Sequence, residues 1–145
     1  MVADVTTQPD PIEAKFDCVT MFRFLLNAED SLRRQALGWI SAHTRQGGYL
    51  IGNIHLQTVS VPGLLAVASH RLLGRKVNYL GREQTQELLE SAGFRIQSWS
   101  GYRVLPTVMG RPLIGRQAQV MAEKLCSKMG LGRIGSDHVF VAMKM

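Results

Sequence analysis

The sequence predicts an α/β domain built on a mainly parallel sheet. Three observations carry this. Short β-branched and aromatic segments alternate with longer ones whose apolar residues recur every three or four positions. The first strand candidate is apolar at odd and even positions alike, as strands covered on both faces are. The balance of 46% hydrophobic and 19% charged residues over 145 positions suits one domain with a real core, not a disordered chain.

The elements follow in order. Residues 6–15 hold two prolines and two acids and read as a loop. Phe16-Asp17-Cys18-Val19-Thr20-Met21-Phe22 reads as an interior strand. Asn27 followed by Asp30 reads as a helix start, with the asparagine side chain accepting from an orphan N–H. Leu32, Ala36, Trp39, Ile40 and His43 carry that helix to about residue 44, where Gly47-Gly48 should stop it. Residues 49–54 are a second buried strand. Residues 62–73 form a helix with Pro62 in its first turn. Residues 82–92 form another, and Gly93 takes the left-handed cap position. Residues 94–103 are a strand. Ile114, Ala118, Met121, Leu125 and Met129 mark one face of a last helix, and residues 138–144 are the last strand.

Composition excludes several classes of function. No apolar run reaches the roughly 18 residues of a membrane helix. MVADVTTQPD has acids and a proline where a signal peptide has a basic start and an apolar stretch, so a cytoplasmic location is expected. Cys18 and Cys126 are too few and too far apart for a disulfide framework and read as small buried hydrophobes. The net charge is +6, with −1 over residues 1–70 and +7 over residues 71–145. The arginines of the basic half are scattered and no aromatic residues alternate with them, which argues against nucleic acid as a partner.

Few motifs carry chemistry. Gly130-Leu131-Gly132-Arg133-Ile134-Gly135 matches a dinucleotide-binding pattern, but it follows a helix and leads into a strand. A phosphate there would have no helix end behind it, so the segment reads as a turn. None of the four histidines lies three or four residues from another, so no metal pair shares a helix turn. His43 and His70 read as helix residues. His55 and Asn53 close the strand of residues 49–54 at its carboxyl end, where open α/β sheets place their ligands. There His55 is either a loop residue or a general base. Asp4, alone, is an acid after a short apolar segment.

Taken together, these stretches resemble the C-terminal two-thirds of a class I S-adenosylmethionine-dependent methyltransferase. Val2-Ala3-Asp4-Val5-Thr6 and the strand of residues 16–20 look like that family's third-strand end leading into its fourth strand. Phe22-Arg23-Phe24-Leu25-Leu26-Asn27 resembles the segment that follows. Arg45-Gln46-Gly47-Gly48-Tyr49-Leu50 is similar to its glycine-rich turn into the fifth strand, with Gln46 in place of a proline. Leu88-Leu89-Glu90-Ser91-Ala92-Gly93-Phe94 resembles its last helix and sixth strand.

The resemblance implies a partial Rossmann-like class I methyltransferase sheet, mainly parallel with an antiparallel last strand and helices on both faces. It implies one domain over residues 1–145, with inserted covers near 56–81 and 105–136. The cofactor would be S-adenosylmethionine, with Asp4 on the adenine amino group, Val5 near the ring, and Phe22 and Arg23 beside the methionine part. Asn27, Asn53, Tyr102 and Arg103 would face a small-molecule methyl acceptor, and His55 is the candidate base. The family's glycine-rich cofactor loop precedes the matched stretches, so the isolated chain is expected to be an inactive fragment. A non-catalytic binding or assembly module is the alternative. With the family strand order 3-2-1-4-5-7-6, residues 16–22 would form an exposed edge open to self-association.

Overall fold

A computed structural model describes residues 12, 14–55, 72, 80–105, 107–108, 111–112 and 114–145. Four strands form the main sheet: β1 (Phe16–Met21), β2 (Thr44–Ile54), β3 (Phe94–Tyr102) and β6 (Asp137–Lys144), in the spatial order β1-β2-β6-β3. β1 and β2 run parallel, while β6 runs antiparallel to both β2 and β3. Three strands thus point one way and the last points back, as expected. A separate two-stranded ribbon joins β4 (Thr107–Val108) to β5 (Arg111–Pro112). The helices are α1 (Asp30–His43), α2 (Arg82–Ser91) and α3 (Arg116–Lys128), with a 3-10 turn over Leu131–Ile134. The expected helix at 62–73 lies outside the described residues, apart from Leu72.

Strand pairing shows how the core is built. Residues opposite one another in antiparallel strands share a face, and successive residues alternate faces. Leu50 faces Ala142, Gly52 faces Phe140 and Ile54 faces His138 across β2 and β6. On the same side stand Val19 and Met21 of β1 and Ile96 and Trp99 of β3. Leu37 and Ile40 of α1 and Leu88 and Leu89 of α2 close over this face in one hydrophobic cluster. The other face carries Tyr49, Ile51, Val139, Val141 and Met143, none of them buried. Only toward the carboxyl edge, at Asn53 and Asp137, does that face bury side chains.

Several expectations change. β1 is an edge strand among the described residues, and Met21 is its one buried residue, so it is not covered on both faces. Cys18 is exposed and Cys126 half-buried, because β1 has a partner on one side only and α3 buries none of its residues. The helix start is not capped by Asn27. Glu29 holds the N-cap position, without a side-chain cap. α1 passes into β2 at Thr44 with no break, and Gly47-Gly48 lie inside the strand. There the pairing of β1 with β2 shifts register, Gly47 has φ +75°, and a Cβ on Gly48 would lie 2.9 Å from Arg45 O. The glycines shape a bulge and do not stop a helix.

Candidate functional site

The carboxyl ends of β1, β2 and β3 and the start of β6 lie along one rim of the sheet. Most of the residues selected from the sequence stand there, in two groups. Beside β1 and β2 the chain turns sharply after Met21. Arg23 has φ 57°, a left-handed backbone that costs a non-glycine residue about 1 kcal/mol or more. Two asparagines hold it. Its N–H donates to Asn53 Oδ1 at 2.7 Å, and its carbonyl accepts from Asn27 Nδ2 at 2.5 Å. Phe24 O accepts from the backbone N–H groups of Asn27 and Ala28, both at 3.0 Å, which completes a rigid turn. Asn53, 30 residues away in sequence and itself buried, fixes this turn to the end of β2. Phe22 stands beside it, more than half exposed at 55%. His55 follows directly, and its Nδ1 is buried without a hydrogen-bond partner.

The second group stands on β3 and β6, with β6 between it and Asn53. At about 4.8 Å per strand, roughly 10 Å separates β2 from β3. Arg103 repeats the geometry of Arg23, also with φ 57°. Its Nη1 donates to Asp137 Oδ2 at 2.8 Å, and its carbonyl accepts from the backbone N–H of Ser136 at 3.1 Å. Asp137 is buried whereas Arg103 is half-exposed, so the pair has one side in water. Tyr102 stands opposite Asp137 and is exposed. The structure therefore gathers Phe22, Arg23, Asn27, Asn53 and His55, and sets Tyr102 and Arg103 apart from them. Asp4 and Val5 lie outside the described residues.

The glycine pattern has a structural explanation. Gly130 has φ +73° where α3 stops. A Cβ on Gly132 would lie 2.5 Å from Gly101 O, and one on Gly135 would meet the backbone of Tyr102. The 3-10 turn thus lies backbone to backbone on the end of β3, which only glycines allow. Glu123 of α3 closes the same corner by accepting from the N–H groups of Val104 and Leu105, at 3.1 and 2.8 Å. No phosphate cradle remains in this segment.

His138 was not among the candidates. It is buried beneath this turn, stacked at a tilt 5.4 Å from Trp99, with Nδ1 unpartnered. Burial pushes its pKa below the usual 6.5, and the Arg82 charge adds to that. A backbone hydrogen bond with Arg133 and the carboxylate of Asp137 oppose the shift. Asp137, Glu123 and His138 carry no spacing signal in the sequence, since their partners come from other elements. Among the described residues no group of His, Cys, Asp and Glu is placed to hold a metal ion.

Comparison with known proteins identifies the architecture. No family model and no curated protein matches the sequence. Solved structures do match. A protein from Thermotoga maritima, described as a SAM-dependent methyltransferase and possible histamine N-methyltransferase, superposes with a TM-score of 0.58 at 18% identity, over 92% of this chain and 59% of its own. The fold is that of a class I methyltransferase. Magnesium protoporphyrin IX methyltransferase from Synechocystis, solved with bound SAH, matches over 100% of this chain and 50% of its own, with a TM-score of 0.56 and 13% identity. A Mesorhizobium loti S-adenosylmethionine-dependent methyltransferase matches over 98% of this chain and 67% of its own, with a TM-score of 0.57 and 15% identity. The chain spans roughly half to two-thirds of the length of these methyltransferases. Its sheet order corresponds to the 4-5-7-6 portion of the methyltransferase order. No helix among the described residues is long and apolar enough to cross a membrane.

Proposed function

We propose that the protein serves S-adenosylmethionine-dependent methyl transfer to a small molecule, with the rim at the carboxyl ends of β1 and β2 as its site. The observation that carries this reading is the turn at Arg23. A non-glycine residue is held left-handed by two asparagines, beside an exposed Phe22 and a His55 with an orphaned ring nitrogen. Strain and unfilled polar capacity at a sheet's carboxyl rim are features of ligand sites.

The residues present fit the cofactor on this side. Phe22 offers a face for packing, and the fixed backbone around Arg23 presents the methionine side. Asp4 and Val5 would serve the adenine, as the resemblance implies. S-adenosylmethionine supplies an already activated methyl group. The protein's task is then chiefly to hold the acceptor in line, which needs little acid–base machinery. In this reading Asn27 and Asn53 shape the acceptor side through the Arg23 turn they hold, and Tyr102 and Arg103, set apart across β6, would meet only the far end of the acceptor. His55 Nδ1 would take the proton an acceptor hydroxyl or amine loses.

Titration with S-adenosylmethionine or its demethylated product tests the reading. Asn53→Ala removes the acceptor of the Arg23 N–H and should weaken binding by about 1–2 kcal/mol, the scale for an unpaired buried group. Unchanged affinity in this variant would remove the turn from the site. The edge of β1, unpaired among the described residues, further favours self-association through that strand, which light scattering against protein concentration would reveal and a monomer at all concentrations would refute.

A further inference from the structure

α1 and α2 run side by side, and between their first turns lies a cavity of about 480 Å³, lined by Asp30, Arg33, Arg34, Leu80, Gln84 and Glu87 among others. Both helices start at the rim that carries the candidate site. Arg33 is the unusual member. It is 6% exposed, yet among the described residues no carboxylate pairs with it. Its Nε donates to Leu25 O at 2.5 Å, and its Nη2 is buried without a partner. A buried guanidinium with an unfilled donor is costly, and an anion is what relieves that cost.

The surroundings select the anion. Asp30 is neutralised by Arg34 at 2.8 Å, so it neither fills Arg33 nor repels strongly. The first turn of α1 has no side-chain cap, which leaves its amides and the positive end of the helix open. The Glu87 carboxylate of α2 is exposed and has no hydrogen-bond partner among the described residues. One uncompensated cation opposite one free carboxylate suits a single negative charge better than two. The cavity has the size of small-molecule sites, and Leu25 O ties Arg33 directly to the 22–28 turn.

We propose that this cavity binds the carboxylate of a small organic acid through Arg33, and that the methyl acceptor is such an acid. The second half rests on the methyltransferase reading; the anion site does not. The test is calorimetric titration of the protein with benzoate, and in parallel with benzamide and inorganic phosphate, without cofactor. Benzoate should bind and benzamide should not. Arg33→Lys keeps the charge but loses the fork, and should weaken benzoate binding about tenfold. Glu87→Gln, at an exposed position that leaves the core intact, should tighten it several-fold by removing the competing charge. Equal binding of benzoate and benzamide, no binding of either, preferred binding of phosphate, or an unchanged affinity in Glu87→Gln would each overturn the proposal. If Arg33→Lys does not fold, the Glu87 variant and the amide comparison still decide. Benzoate binding in a protein that ignores S-adenosylmethionine would sink the methyltransferase reading and leave the anion site standing.

Discussion

α1 and α3 are nearly the same length, 14 and 13 residues, and both carry apolar residues at helical spacing. Their fates differ. α1 buries Arg33, Ala36, Leu37, Ile40 and His43, with Leu37 and Ile40 in the core over the sheet. α3 buries nothing, and leaves Met121 73% and Leu125 59% exposed. Helical periodicity announces a face; it does not announce what covers that face. α1 follows a strand and returns to its parallel neighbour, so the connection lays it on the sheet. α3 lies within the connection from β3 to its antiparallel neighbour β6, and that topology places no helix on the sheet. What fixes α3 is Glu123 in its middle, on the Val104 and Leu105 amides, and at its end the glycine contacts of the 3-10 turn.

The largest expected effect tests this contrast directly. Leu37→Ala should cost about 2–5 kcal/mol, the range for a leucine deleted from a closed core, while Leu125→Ala should stay within about 0.5 kcal/mol, as exposed positions do. Denaturant midpoints of the two variants measure it, and equal losses would break the comparison. Next is Gly132→Ala. Its Cβ would press on the backbone of Gly101, which cannot rotate away, so a loss of about 1–3 kcal/mol is expected. Gly115→Ala, where a Cβ meets nothing within 4 Å, lacks this clash and should lose less, only what a poorer helix cap costs.

The turn over β3 also predicts a pH effect. Burial lowers the folded-state pKa of His138, so below about 6.5 the unfolded chain takes up the proton more readily. Stability is therefore complete above that pH and falls as pH drops toward the folded-state value. The melting temperature of the protein should decline below pH 6.5 more steeply than that of His138→Gln. Parallel declines would show that another group is responsible. The smallest effect is a gain. Gly38 lies in mid-α1 with open space at its Cβ, so Gly38→Ala should stabilise by about 0.5–1 kcal/mol.

The sheet was legible in the sequence because its strands are short, apolar and separated by helices. Their order was legible only through the resemblance, since periodicity does not say which strands are neighbours. Gly47-Gly48 misled because a glycine pair reads as a break, whereas here it builds a bulge where β1 meets β2. Asn27 misled as well, because an asparagine before an acid reads as a helix cap, and the cap position falls to Glu29. The partner of Asn27 is the carbonyl of Arg23 behind it, not a helix amide ahead. Arg33 escaped notice because one arginine on a helix surface is ordinary. Its burial arises only when α2 closes beside it, which no local pattern records. Asp137 and His138 escaped for the same reason: Arg103 and Trp99 reach them from β3.

The central claim is that the rim at the ends of β1 and β2 receives the cofactor. Backbone amide chemical shifts, followed during titration with the demethylated product of S-adenosylmethionine, test it most directly and remain readable for weak binding. The amides of Phe22, Arg23, Asn53 and His55 should move together along one saturating curve, with Gly47 and Gly48 at the opposite end of β2 unmoved. Shifts confined to the Gly47–Gly48 end, or none at Arg23 and Asn53 at saturation, would contradict the account.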